Sequence, residues 1–306
     1  MENVKVFLSI DQMKTGDADQ QKAAKAFLFG YIVDHRLPEK ACRKLIGLLE
    51  IKDCQEAVKT ILLEYVSHFD YLSEKAWIEL IDLLKIEDCR NVTKMLLLDY
   101  VKRFEFEHLP EKACRRLIGL LEIKDCQAVA KDIVLEYINV YTVGCWGAKL
   151  YKHPLSVACL SQLNGLLKKK DYQVVAEEIY LVHAENYHLA KEAEVNLVKL
   201  LKVEGCRDIV KKIIWVYANS KYYVYAGHPR CNRLSVVAEQ ELVGLLWKDN
   251  YRDVAKSVLL DYANDHFILS QRAQAKLRKL LRLACFLRRK EIQDTINEII
   301  LKCPIE

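Results

Sequence analysis

The stretch LPEKACRKLIGLLEIKDC occupies residues 37–54, and LPEKACRRLIGLLEIKDC occupies residues 109–126. Between them, LSEKAWIELIDLLKIEDC fills residues 72–89. With the leading leucine counted as offset 0, the same frame recurs at Leu37, Leu72, Leu109, Leu155, Leu189, Leu234 and Leu269. Offset 4 is small throughout (Ala41, Ala76, Ala113, Cys159, Ala193, Ala238, Ala273), offset 8 is leucine from Leu45 to Leu277, and offsets 11 and 12 are a Leu-Leu pair. Offsets 0, 4, 8, 11 and 12 lie on one side of a helix, so this run predicts the first helix of a repeating unit.

A second amphipathic run comes next, with apolar offsets 20, 21, 24, 25 and 28, as in Ala57, Val58, Ile61, Leu62 and Tyr65. Offset 28 is aromatic in nearly every complete unit: Tyr65, Tyr100, Tyr137, His183, Tyr217 and Tyr262. Between the two helices, offset 16 reads Asp53, Asp88, Asp125, Asp171, Gly205 and Asn250, residue types that tolerate a left-handed backbone, which is expected at this joint. Offset 17 is Cys54, Cys89, Cys126, Tyr172, Cys206 and Tyr251; cysteine that exchanges with tyrosine reads as packing material. Ser73, Ser235 and Ser270 suit N-caps, and Pro38 and Pro110 suit a first turn.

Each pair is too small to bury its own stripe, so neighbouring pairs must cover it. The expected fold is all-α: a right-handed α-solenoid of stacked antiparallel helix pairs, with repeats of about 34–46 residues and a constant 28-residue core. One domain is expected over residues 1–306, with a degenerate unit at 1–36, six regular pairs over 37–268 and a basic cap at 269–306. In the opening unit, Ala23–Arg36 with Tyr31 reads as a second helix; beyond Leu281 the frame is lost. The layout resembles the tetratricopeptide and HEAT class of helical arrays across nearly the whole chain. The likeness is architectural, because the tetratricopeptide pattern of Trp, Leu-Gly, Tyr and a late Pro is absent. It implies long grooves that take peptides or partner helices.

Composition agrees. Only 15 of 306 residues are Gly or Pro, as short uniform connections require, and 52% hydrophobic content excludes a disordered chain. No run of about 18 uncharged apolar residues exists, so no membrane span is expected. Residues 1–15 carry Glu2, Lys5, Asp11 and Lys14 and do not read as a secretory signal. Eleven cysteines without a C-x-x-C do not form a disulfide framework, which together with the missing signal points to the cytoplasm.

Two joints break the regularity. TVGCWGAKLYKHP (142–154) and SKYYVYAGHPRCNR (220–233) are insertions at equivalent places, and neither contains an acid. Insertions at equivalent joints project from one edge of a repeat array, and loops on a rigid scaffold carry function. The candidate ligand-binding residues are Trp146, Lys149, Tyr151, Lys152, His153, Lys221, Tyr222, Tyr223, Tyr225, His228, Arg230 and Arg233. Rings supply contact area and the cations attract an acidic peptide or phosphate. Packing of these rings back onto their own helices is the competing reading.

Residues 1–136 carry a net charge of −3 and the remainder +8. The acid-free window between Asp265 and Glu291 holds Arg272, Lys276, Arg278, Lys279, Arg282, Arg288, Arg289 and Lys290. Such a run is ordinarily a solvated face, but a basic half interleaved with tyrosines also suits RNA or DNA. No H-E-x-x-H, P-loop, G-x-G-x-x-G or G-x-S-x-G motif is present. Cys145, His153, His228 and Cys231 are the one set of residue types suited to zinc, but a complete unit separates the two halves, so neither metal nor cofactor is expected. His183 reads as a buried, hydrogen-bonded core residue, and Trp77 and Trp215 as packing. The functional expectation is a non-catalytic scaffold for a protein or acidic peptide, with a nucleic-acid binder as the alternative.

Overall fold

A computed structural model describes residues 2–69, 72–103, 109–139, 141–143, 149–151, 154–223, 229–231, 234–264 and 269–302. The fold is all-α apart from four three-residue strands, and the chain divides into two compact units, Met1–Thr142 and Val143–Glu306. The first unit holds α1 (Glu2–Thr15), α2 (Ala18–Asp34), α3 (Glu39–Gly47), α4 (Gln55–Phe69), α5 (Glu74–Asp82), α6 (Glu87–Arg103), α7 (Glu111–Gly119) and α8 (Lys124–Asn139). The second holds α9 (Val157–Leu167), α10 (Gln173–Asn186), α11 (Lys191–Lys199), α12 (Arg207–Asn219), α13 (Val236–Leu245), α14 (Arg252–Asn264), α15 (Gln271–Phe286) and α16 (Lys290–Lys302). The strands are β1 (Tyr141–Val143), β2 (Lys149–Tyr151), β3 (Lys221–Tyr223) and β4 (Pro229–Cys231), all at the two insertions.

Within each unit the helices pack in two rows. In the first, α1, α3, α5 and α7 succeed one another in one row, and α2, α4, α6 and α8 in the other. In the second, α9, α11, α13 and α15 form one row, and α10, α12, α14 and α16 the other. The stripes read from the sequence are the seams: Leu45, Leu49, Leu80, Leu84, Leu197 and Leu201 are fully enclosed. Each such leucine contributes about 1.5–3 kcal/mol through burial, which no single pair could provide alone. The opening unit is a complete pair, since α1 precedes α2 and both join their rows. Ser73, Ser156, Ser235 and Ser270 cap their helices by accepting the backbone N–H three residues on.

The joint inside each pair differs from the expectation. Among the described residues the only non-glycine with a left-handed backbone is Arg288 (φ 53°), and offset 16 is not left-handed. The corner is made instead by an extended residue at offset 14, such as Ile51 (φ −102°, ψ 111°), Ile123 (φ −103°, ψ 110°) and Val203 (φ −99°, ψ 114°), flanked by short 3-10 turns or the start of the next helix. A β-branched residue suits that extended conformation.

A hydrogen-bond clamp secures each corner. Offset 18 is Gln55, Arg90, Gln127, Gln173, Arg207 and Arg252, and in all six units its side chain donates to the backbone carbonyl at offset 12 of the same unit. Gln55 and Gln173 use the second N–H of the same amide to reach the offset-16 carbonyl of the next pair, Asp88 O and Gly205 O, both at 3.0 Å; Arg207 Nη2 reaches Asn250 O at 3.3 Å. The offset-17 cysteines are donors as well: Cys89 Sγ donates to Leu49 O (3.3 Å), Cys126 Sγ to Leu84 O (3.3 Å) and Cys206 Sγ to Leu167 O (3.1 Å). Thus the carbonyls of Leu49, Leu84 and Leu167 each receive one bond from their own pair and one from the next, as buried backbone acceptors require. Burial pushes the Cys54, Cys89 and Cys206 thiols up, so they keep the proton they donate. These cysteines bond across the seam as well as filling it.

Candidate binding surface

The second insertion springs from the end of α12 and returns to α13. Its backbone forms an antiparallel hairpin in which Lys221 lies opposite Cys231, Tyr222 opposite Arg230 and Tyr223 opposite Pro229. The structure therefore brings together four proposed site residues, Lys221, Tyr222, Tyr223 and Arg230, on one two-stranded ribbon. Lys149 and Tyr151 lie on β2. Trp146, Lys152, His153, Tyr225, His228 and Arg233 lie outside the described residues, as do Cys145, His153 and His228 of the zinc set. Among the described residues no cluster of three or more His, Cys, Asp or Glu is arranged to hold a metal ion.

The root of this hairpin is held by buried polar groups that the apolar pattern hides. Glu194 on α11 is 0% exposed; Tyr217 on α12 donates its hydroxyl to Glu194 Oε1 (3.0 Å), and the Ser235 backbone N–H donates to Glu194 Oε2 (2.6 Å). One carboxylate thus ties α11, the end of α12 and the chain entering α13. The arrangement repeats one pair later, where Glu239 accepts from the Tyr262 hydroxyl (3.4 Å) and the Ser270 N–H (2.9 Å). Tyr262 also accepts from the Leu234 N–H (3.1 Å), and Ser220 Oγ lies 2.8 Å from Tyr217 O and 3.2 Å from Ala184 O. Burial and the Glu194 charge push the Tyr217 hydroxyl up, keeping it a donor. The available signal was acid at offset 5, inside the apolar stripe, where other units carry Cys42, Trp77, Cys114, Leu160 and Gln274.

Three single-residue expectations meet different outcomes. Trp77 is buried against Tyr100 in an edge-on contact, as core. Trp215 is not: it is 54% exposed on α12, beside a narrow crevice with room for about one water, lined by Lys211, Ile214 and Ala218 of α12 and Val258, Asp261 and Tyr262 of α14. It stands at offset 26, where the other units have Leu63, Leu98, Leu135, Leu181 and Leu260, all of them half-buried at the margin of the helix row rather than in the core. His183 is buried (1% exposed) as expected, but neither ring nitrogen has a hydrogen-bond partner among the described residues. Its neighbour in kind is the buried polar pair Asn164 and Tyr180, also without complete hydrogen bonds.

No helix among the described residues is long and apolar enough to cross a membrane. No known protein family matches the chain, and no curated protein is significantly similar to it.

Proposed function

We propose that this chain is a non-catalytic, cytoplasmic binding scaffold. Its helix pairs form right-handed solenoid stacks of the tetratricopeptide- or HEAT-like kind. Its ligand is a protein segment of acidic character, seated on the second-helix surface and the aromatic, basic insertions. The observation that carries this reading is Trp215: a half-exposed indole on the α12 surface, at a position that is leucine in the five other regular units. Tryptophan is among the residue types that dominate binding energy at protein interfaces. Trp215 lies five residues before the 220–233 insertion, so a chain bound across the indole would continue onto the hairpin.

The test is a photo-crosslinking residue placed at position 211 of the full chain, beside Trp215, with position 59 as the equivalent control. The expected outcome is a discrete protein adduct from position 211 alone, competed by the unlabelled chain and not by its Trp215→Leu variant. If position 211 gives no protein adduct, while single-stranded RNA binds at about 50 mM salt and is released at about 200 mM, the nucleic-acid reading replaces this one.

A further inference from the structure

The last helix pair ends in a surface that the repeat pattern does not account for. In the regular units the first helix stops before the offset-14 corner, and offset 17 turns inward as a buried cysteine in four of six units. Here α15 runs straight through to Phe286, so offsets 14, 17 and 18 stay on or just past a continuous helix. Those offsets are Leu283, Phe286 and Leu287, and they are 41%, 83% and 50% exposed. At about 100° per residue, Phe286 stands on the opposite side of α15 from the buried Leu277. Lys279, Arg282, Leu283 and Phe286 succeed one another at the spacing of a single helix face.

The charge around this apolar tip is predominantly positive. Arg278, Lys279, Arg282, Arg288 and Lys290 are exposed, and none is held in an ion pair among the described residues. Arg289 is engaged, near Asp249 (3.8 Å) and over the Trp247 ring. Of the acids on α16, Glu291 is occupied by Arg252 and Glu298 by Lys256, leaving Asp294 as the one exposed acid of that helix without such a pair among the described residues.

We propose that this tip docks on an anionic lipid bilayer, with Phe286, Leu283 and Leu287 entering the interface and the surrounding cations facing the headgroups. Charge complementarity selects the partner, and the apolar residues select lipid over nucleic acid. Phosphate backbones reward the cations alone, whereas an exposed Phe-Leu-Leu cluster gains only where it leaves water. A partner protein would need matching acid around an apolar pocket; a bilayer containing anionic lipid supplies both without further fit. The surface lies on helices whose inner faces (Ala273, Leu277, Ala284, Ile292, Ile296, Ile299) are already buried, so docking needs no unfolding.

The full chain is mixed with vesicles of phosphatidylcholine alone, and of phosphatidylcholine with about 30% phosphatidylserine, at about 100 mM salt, and binding is read by flotation. Binding to the anionic vesicles only is expected. The Phe286→Ala/Leu287→Ala variant, unchanged in charge, should bind at least about tenfold more weakly, as should Lys279→Glu/Arg282→Glu. A Phe286→Trp chain should gain emission that brominated lipid quenches, beyond the wild-type background. All these positions are exposed, and circular dichroism of each variant confirms folding. No binding to anionic vesicles overturns the proposal. So does vesicle binding that the double alanine leaves unchanged, which would be charge attraction alone. Binding of single-stranded RNA that the glutamate variant abolishes, with vesicles ignored, would assign the tip to nucleic acid.

Discussion

Replacing His183 by phenylalanine should stabilise this protein, and by more as the solution becomes more acidic. His183 takes the place that tyrosine holds in the five other regular units, and it is enclosed beside the Tyr187 ring (5.0 Å between centroids), with neither ring nitrogen paired among the described residues. Leaving a buried polar group without partners costs about 1–3 kcal/mol, so His183→Phe should gain about that much at pH 7. Burial also lowers the imidazole pKa from its ordinary 6.5 to about 3. Below pH 6.5 the unfolded chain takes up a proton that the folded chain refuses, so stability is intact above 6.5 and falls progressively as the pH drops toward 3. Each pH unit in that window is worth about 1.4 kcal/mol, which gives about 2 kcal/mol between pH 6.5 and pH 5. The phenylalanine variant lacks this loss, and the distant carboxylates cancel in the comparison. Urea unfolding of both proteins at pH 7, 6 and 5 measures the difference. A gap that stays level within about 0.5 kcal/mol across that range, or a variant less stable at pH 7, would refute the reasoning.

Gln173→Leu should destabilise by about 1–3 kcal/mol, because Gly205 O loses its donor and Leu167 O keeps only a thiol; Gln173→Arg, the alternative used at offset 18, should stay within about 1 kcal/mol of wild type in the same urea assay. Glu194→Ala leaves the buried Tyr217 hydroxyl and the half-buried Ser235 N–H without an acceptor and should cost about 1–3 kcal/mol in thermal or urea unfolding, whereas Trp215→Leu should be neutral within about 0.5 kcal/mol. Brief maleimide treatment of the native chain, read by peptide mass mapping, should modify exposed Cys285 and spare Cys42, Cys89, Cys126 and Cys206; Cys42 is protected twice, since burial pushes its pKa up to about 12.

Most of the fold was legible because the frame is strict. A leucine every helical turn, a small residue at offset 4 and an aromatic at offset 28 can be satisfied in only one way, by helix pairs that cover one another. The serine caps were equally plain, since an N-cap depends on the residue and its immediate neighbours. The corner departs from the expectation because tolerance of a left-handed backbone is permission, not demand; Ile51 and its equivalents turn the chain in an ordinary extended conformation. The offset-18 clamp was visible as an unbroken Gln/Arg column but carries no hydrophobic period, so its role emerges only when its amide and guanidinium groups are seen against carbonyls about six and about thirty-five residues away. Trp215 and Trp77 illustrate the same limit: both fall within helices, and only the packing beside each decides that one is core and the other surface.

The sequence by itself determined the all-α class, the places of the regular helix pairs, and most residues that line the seams, because those depend on spacing along one chain; in the opening unit it missed α1 and began α2 at Ala23 rather than Ala18. The tertiary structure decided the rest. It made Glu194 a clamp on the second insertion, gave offset 17 a bond across the seam, and turned the lost frame after Leu281 into an exposed Phe-Leu-Leu tip among cations. The physical reason is that burial and hydrogen-bond completion belong to pairs of surfaces; a single strand of letters names the groups, and only packing assigns each one a partner or leaves it in water.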